Sequence, residues 1–116
     1  MSNIYVTKLN SLFEKLFSDN VLSRKQFNKL QIKNFFGGGA AYIQNHIFMT
    51  LTKVGLALKL SDDDLQNIMK IGGKELRYFA KVHIKKQYSI IPNNIISSSK
   101  EFSNWIRKSL NFVLTD

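Results

Sequence analysis

Cysteine is absent from this 116-residue sequence, and proline occurs once, at Pro92. Without cysteine there is no disulfide framework, no thiol nucleophile and no zinc site built on thiolates. Acid is scarce as well: 8 Asp and Glu stand against 17 Lys and Arg, for a formal net charge of +9. No run of about 18 apolar residues occurs, so no segment is suited to span a bilayer as a helix. The N-terminus, Met1-Ser2-Asn3-Ile4-Tyr5-Val6, lacks the basic start and apolar run of a secretory signal. These absences lead to the expectation of a cytoplasmic protein with no membrane partner. What is present suffices for one core: 44% of residues are hydrophobic and 12% aromatic. A chain of this length buries roughly two-thirds of its unfolded surface on folding, without help from a metal or a disulfide. The expectation is a single domain over residues 1–116.

The basic residues are unevenly placed. From Asn20 to Ser61 there is no acid, while Arg24, Lys25, Lys29, Lys33, Lys53 and Lys59 are present. Between Glu75 and Glu101 the chain carries Arg77, Lys81, Lys85, Lys86 and Lys100, again without an acid. Such a balance attracts acidic partners, whether nucleic acid, anionic lipid or an acidic protein face, and also keeps an ordinary surface solvated.

Periodicity places helices at the two ends and strands between them. Val6, Leu9, Leu12, Phe13, Leu16 and Phe17 recur at helical spacing, which predicts a helix from Ile4 to Phe17, stopped by Ser18-Asp19-Asn20. Val21 to Asn28 is compatible with a short helical turn. Leu30, Ile32, Asn34 and Phe36 alternate with Gln31, Lys33 and Phe35, as in a strand. Ala40 to Ile43 and His46 to Thr52 form the next two strands, joined at Gln44-Asn45, where Asn45 tolerates a positive φ. Lys53-Val54-Gly55 turns the chain into Leu56 to Leu60. Ser61 caps a helix whose first turn is Asp62, Asp63 and Asp64, closed by Gly72-Gly73. Tyr88 to Ile91 is a fifth strand ended by Pro92. Ser98 and Glu101 have capping-box spacing ahead of a last helix with Phe102, Trp105, Ile106, Leu110 and Val113 on one face. The expected fold is α+β, a two-layer domain in which an antiparallel sheet of about five strands carries N-terminal, central and C-terminal helices.

Phe36-Gly37-Gly38, Tyr42, Phe48, Leu56-Ala57-Leu58-Lys59, Gly73, Phe79, Lys86-Gln87-Tyr88-Ser89-Ile90-Ile91-Pro92 and Trp105 occur in an order that resembles the N-terminal domain of the TfoX bacterial competence regulators and their free-standing homologues. The likeness covers about Leu30 to Val113. Its structural residues in this chain are Phe36, Gly37, Gly38, Tyr42, Phe48, Lys59, Tyr88, Pro92 and Trp105. The resemblance implies helices packed on an antiparallel sheet and a regulatory rather than enzymatic role, and it brings no catalytic residues. The hairpin reads Gln44-Asn45-His46 where the family usually has Asp-Gly, and the stretch before Phe36 is longer than usual. With no second domain after Asp116, the expectation is a stand-alone member.

No catalytic, cofactor-binding or metal-ligating set assembles from the residues. Gly37-Gly38-Gly39 lacks the Gly-Lys-Ser/Thr ending of a phosphate loop, and Ala40-Ala41-Tyr42 continues as strand, so the glycines read as a bulge or a close backbone approach. Asp62, Asp63 and Asp64 point in different directions on a helix and read as N-terminal charges favoured by the helix dipole. His46 and His83 have no triad partners at recognisable spacing.

One place where charge and geometry cooperate is the candidate basic surface of Arg77, Lys81, His83, Lys85 and Lys86. Were that segment extended, Lys81, His83 and Lys85 would share one face, available to phosphates or to an acidic protein. The plainer reading is an edge strand whose lysines discourage sheet association. The leading functional expectation is a regulatory module that binds a protein partner, with no cofactor. The alternative is a direct nucleic-acid binder, with weak and non-specific attraction as the baseline, and a small enzyme or ligand-binding domain ranks third. A homodimer is left open.

Overall fold

The structure, a computed structural model, describes residues 3–77 and 84–115. Its centre is a six-stranded antiparallel sheet in the order β1-β2-β3-β4-β6-β5. The strands are β1 (Leu30–Phe35), β2 (Gly38–Ile43), β3 (His46–Thr52), β4 (Gly55–Lys59), β5 (Lys74–Leu76) and β6 (Lys85–Ile90). The helices are α1 (Ile4–Ser18), α2 (Arg24–Asn28), α3 (Asp62–Lys70), α4 (Asn93–Ile96) and α5 (Ser99–Leu114).

The helices share one face of the sheet. Leu9, Phe13 and Leu16 of α1, Ile68 of α3, and Phe102, Ile106, Leu110 and Val113 of α5 join Ala41, Ile43, Phe48, Met49, Leu56 and Leu58 in one buried cluster. Each fully buried Leu, Ile or Phe contributes roughly 1.5 to 3 kcal/mol, which explains why the helical periodicity is legible. Phe13 meets Phe48 edge to face, with ring centroids 5.8 Å apart. Phe48 and Met49 are consecutive yet both lie on the helix side. The register passes from Ala41 opposite Met49 to Tyr42 opposite Ile47, so Phe48 is the extra residue of a β-bulge.

Local chemistry sets the ends of the elements. Asn3 caps α1, its Oδ1 accepting from the amides of Tyr5 and Val6, while its Nδ2 donates to the Gly38 carbonyl at 2.8 Å. One side chain thus starts the helix and fastens it to β2. Ser23 and Gln26 form a reciprocal capping box on α2. The Gln44-Asn45 turn has φ of 48° and 68°, the paired left-handed geometry that matches strand twist in a two-residue hairpin. Ser61 Oγ accepts from the Asp64 amide at 3.2 Å, with all three aspartates in the first turn of α3.

Four expectations need correction. β5 makes the sheet six strands rather than about five; it is only three residues long, too short to show alternation. β6 starts at Lys85, not Tyr88, and lies between β4 and β5 rather than at an edge. Phe36 does not end β1 but sits in the turn to β2 with φ 45°. Ser98 precedes α5 without a side-chain cap, and its amide donates to Ile95 at the end of α4, so Glu101 is not needed to satisfy it.

Candidate interaction surfaces

Sheet topology sorts the exposed residues into two ends. The Gln44-Asn45 turn, the end of β4 at Lys59, the start of β6 and the end of β5 lie at one end. Here the predicted basic surface is partly assembled. Leu76 pairs with Lys85, which brings Arg77 beside the start of β6, and Arg77, Lys85 and Lys86 are all exposed. Lys81 and His83 lie outside the described residues. Regular alternation fails in this region: Glu75 faces Ser89 while the next residue, Leu76, faces Lys85, so Lys86, Gln87 and Tyr88 bulge out of the β5 ladder. Gln87 holds the bulge, with φ 69° and its Nε2 donating to the Leu60 carbonyl at 2.9 Å. Leu60 leads into the aspartates of α3, so this end also carries acid, and Asp64 forms an ion pair with Lys108 at 3.7 Å. His46 and Lys59 line a groove here with Phe112 of α5.

The other end is more apolar. The Phe36-Gly37 turn, the Lys53-Val54 turn, the start of α1, the end of α3 and Pro92 gather there, as the register and contacts require. Gly38 carries the Asn3 hydrogen bond, Gly39 faces Leu51, and Thr52 faces Gly55. The Ile91 amide donates to Leu56, and a Cβ on Gly72 would lie 3.2 Å from Pro92. Ile4, Phe36, Met69 and Ile71, the large exposed hydrophobics among the described residues, stand on these segments with exposures of 36% to 65%. Phe36 stacks edge-on against Phe35 at 4.6 Å and holds a left-handed backbone that costs a residue with a Cβ roughly 1 to 2 kcal/mol.

The remaining family-motif residues have structural settings. A Cβ on Gly38 would lie 2.4 Å from the Leu51 carbonyl oxygen, and one on Gly39 would lie 2.9 Å from Leu9 and 3.2 Å from the Val6 amide. These are close approaches of backbone to backbone and of β2 to α1. Tyr42 receives the Lys33 ammonium over its ring at 4.9 Å. Tyr88 packs with Phe35, Val54 and Ile90 around Ala57 and Leu76 on the sheet face away from the helices. Trp105 is half-buried beside Phe102 and has the Lys108 ammonium 5.7 Å from its ring.

Ser109, which the sequence reading passed over, is fully buried, and its hydroxyl reaches the carbonyls of Lys59 at 2.7 Å and Phe48 at 3.2 Å. A small polar residue inside an apolar helix face was the signal that could have found it. Ser89 and Ser103 likewise donate to backbone carbonyls. Ser109 thus joins α5 to β3 and β4, and Ser89 joins β6 to β5, while Ser103 bonds within α5. Among the described residues, no three of His, Asp and Glu gather closely enough to hold a metal ion. No described helix is long and apolar enough to cross a membrane.

A sheet of this order, backed on one face by helices from both ends of the chain, is an α+β domain of competence-regulator-like build. Residues 22–113 match the TfoX N-terminal domain, and the chain belongs to that family. A search of curated proteins returns no match. The matched region starts after α1, although α1 supplies Leu9, Phe13 and Leu16 to the buried cluster.

Proposed function

We propose that this chain is a non-enzymatic regulatory module that binds a protein partner in the cytoplasm, linked to transcription or competence control. The observation that carries the reading is the meeting of Lys53 and Lys74 with the apolar side chains of Val54, Ile90 and Pro92, at the end of the sheet whose turns and helix ends also expose Ile4, Phe36 and Ile71. Phosphate backbones reward cations and hydrogen-bond donors, whereas protein interfaces combine aromatic and aliphatic anchors with a polar rim. Family membership supports the regulatory half of the reading.

The net charge of +9 favours a second reading, direct binding of nucleic acid. On the leading proposal that attraction is weak and indifferent to sequence, with Kd on the order of 10⁻⁴ to 10⁻⁶ M. Affinity capture from cell extract with and without nuclease separates the two. Retention of proteins after nuclease treatment supports a protein partner, and loss of all binding refutes it in favour of nucleic acid.

A further inference from the structure

The apolar end of the sheet contains a cleft of about 300 Å³. Val54, Ile90 and Pro92 form half-buried apolar walls, and Lys53, Lys74 and Asn93 stand exposed around it. Lys53 comes from the β3–β4 turn and Lys74 from the first residue of β5, so β4 and β6 run between them. Lys53 sits between β3 and β4, about two and a half strand spacings from β5, which sets the cations roughly 12 Å apart at the backbone, within reach of carboxylates three residues apart on an extended chain once the lysine stems turn inward. Among the described residues no acid lines the cleft, and neither lysine takes part in the Lys108–Asp64 ion pair. Gly72 shapes one wall: its φ is 112°, and a Cβ there would press on Pro92 at 3.2 Å. Ile71, just before it, is exposed.

We propose that this cleft docks a short acidic segment of the partner protein, with an apolar side chain between Val54, Ile90 and Pro92 and flanking carboxylates on Lys53 and Lys74. The inference rests on the protein-partner reading and names the chemistry of that partner. Paired cations beside the apolar side chains of Val54, Ile90 and Pro92 match carboxylates flanking a hydrophobic residue better than a phosphate chain, which offers those side chains nothing.

The test is an amide-resolved NMR titration of the full chain with the capped peptide Asp-Leu-Phe-Asp. Saturable shifts are expected at Lys53, Val54, Gly55, Gly72, Lys74 and Asn93. Peptides with Ser-Ser in place of Leu-Phe, or with Asn in place of Asp, should bind at least about tenfold more weakly. Lys53→Glu with Lys74→Glu should abolish the shifts at an unchanged urea midpoint, and the milder Lys53→Gln with Lys74→Gln should weaken them. Absence of saturable shifts, shifts centred on Lys85 and Lys86, equal binding of the Ser-Ser peptide, or stronger shifts at the same amides with an oligonucleotide each overturn the proposal. If wild type and the Glu variant capture the same nuclease-resistant proteins from extract, the cleft is refuted and the protein-partner reading stands. If wild type captures none, that reading falls and takes the cleft with it.

Discussion

Replacing Ser109 by alanine isolates one hydroxyl that joins α5 to two strands. The β3–β4 ladder reaches Met49 opposite Leu58, and one position further on, the carbonyls of Phe48 and Lys59 both turn to Ser109 Oγ. Phe48 is the bulged residue of β3, so its ladder partner on the β2 side is already lost. Removing the hydroxyl takes the donor from the buried Phe48 carbonyl and the part-buried Lys59 carbonyl, beside a residue that is 0% exposed. Leaving a buried polar group unsatisfied costs about 1 to 3 kcal/mol. Alanine returns a few tenths of a kcal/mol in helix propensity, for a net loss of about 1 to 2 kcal/mol. In a chain of this size that lowers Tm by roughly 4 to 8 °C. Urea denaturation followed by Trp105 fluorescence, alongside thermal melting by circular dichroism, measures both. A Ser109→Ala protein with wild-type midpoints would refute the bridge, because helix propensity alone predicts a slight gain.

The glycines of the β1–β2 turn should separate by mechanism. Gly38→Ala forces a Cβ onto the Leu51 carbonyl and should cost about 2 to 3 kcal/mol, while Gly37→Ala, with φ 78° and open space around its Cβ, should cost only about 1; equal urea midpoints would contradict this. Phe102→Ala, at a site 4% exposed, should cost about 3 to 5 kcal/mol, and half-buried Trp105→Ala less than that, so a larger loss at Trp105 would show that the ranking is wrong. Oligonucleotide binding measured by fluorescence anisotropy should weaken steeply with salt and show no sequence preference. Sub-micromolar selective binding near physiological salt, lost when Lys81, Lys85 and Lys86 become Gln, would instead make the basic stretch the functional site.

Local rules made much of this protein legible in its sequence. The apolar spacing of Leu9, Phe13 and Leu16 marked α1, the positive φ tolerated by Asn45 marked the hairpin, and Ser61 ahead of three aspartates marked α3, because each depends on neighbours within one or two turns of chain. The Gly38-Gly39 approach was also legible, since a missing side chain signals a missing space. The features that escaped depend on distant partners. β5 exists because β6 pairs with it, and the capping box fails at Glu101 because α4 already satisfies the Ser98 amide. Phe48 and Met49 share a face only because β2 and β3 slip register, and Ser109 has meaning only where α5 crosses two strand ends. The cleft between Lys53 and Lys74 joins residues far apart in sequence, brought together when β6 inserts between β4 and β5. Hydrophobic periodicity and capping are short-range and are written in adjacent residues, whereas strand order, register and the meeting of side chains across the sheet arise only once the chain has packed.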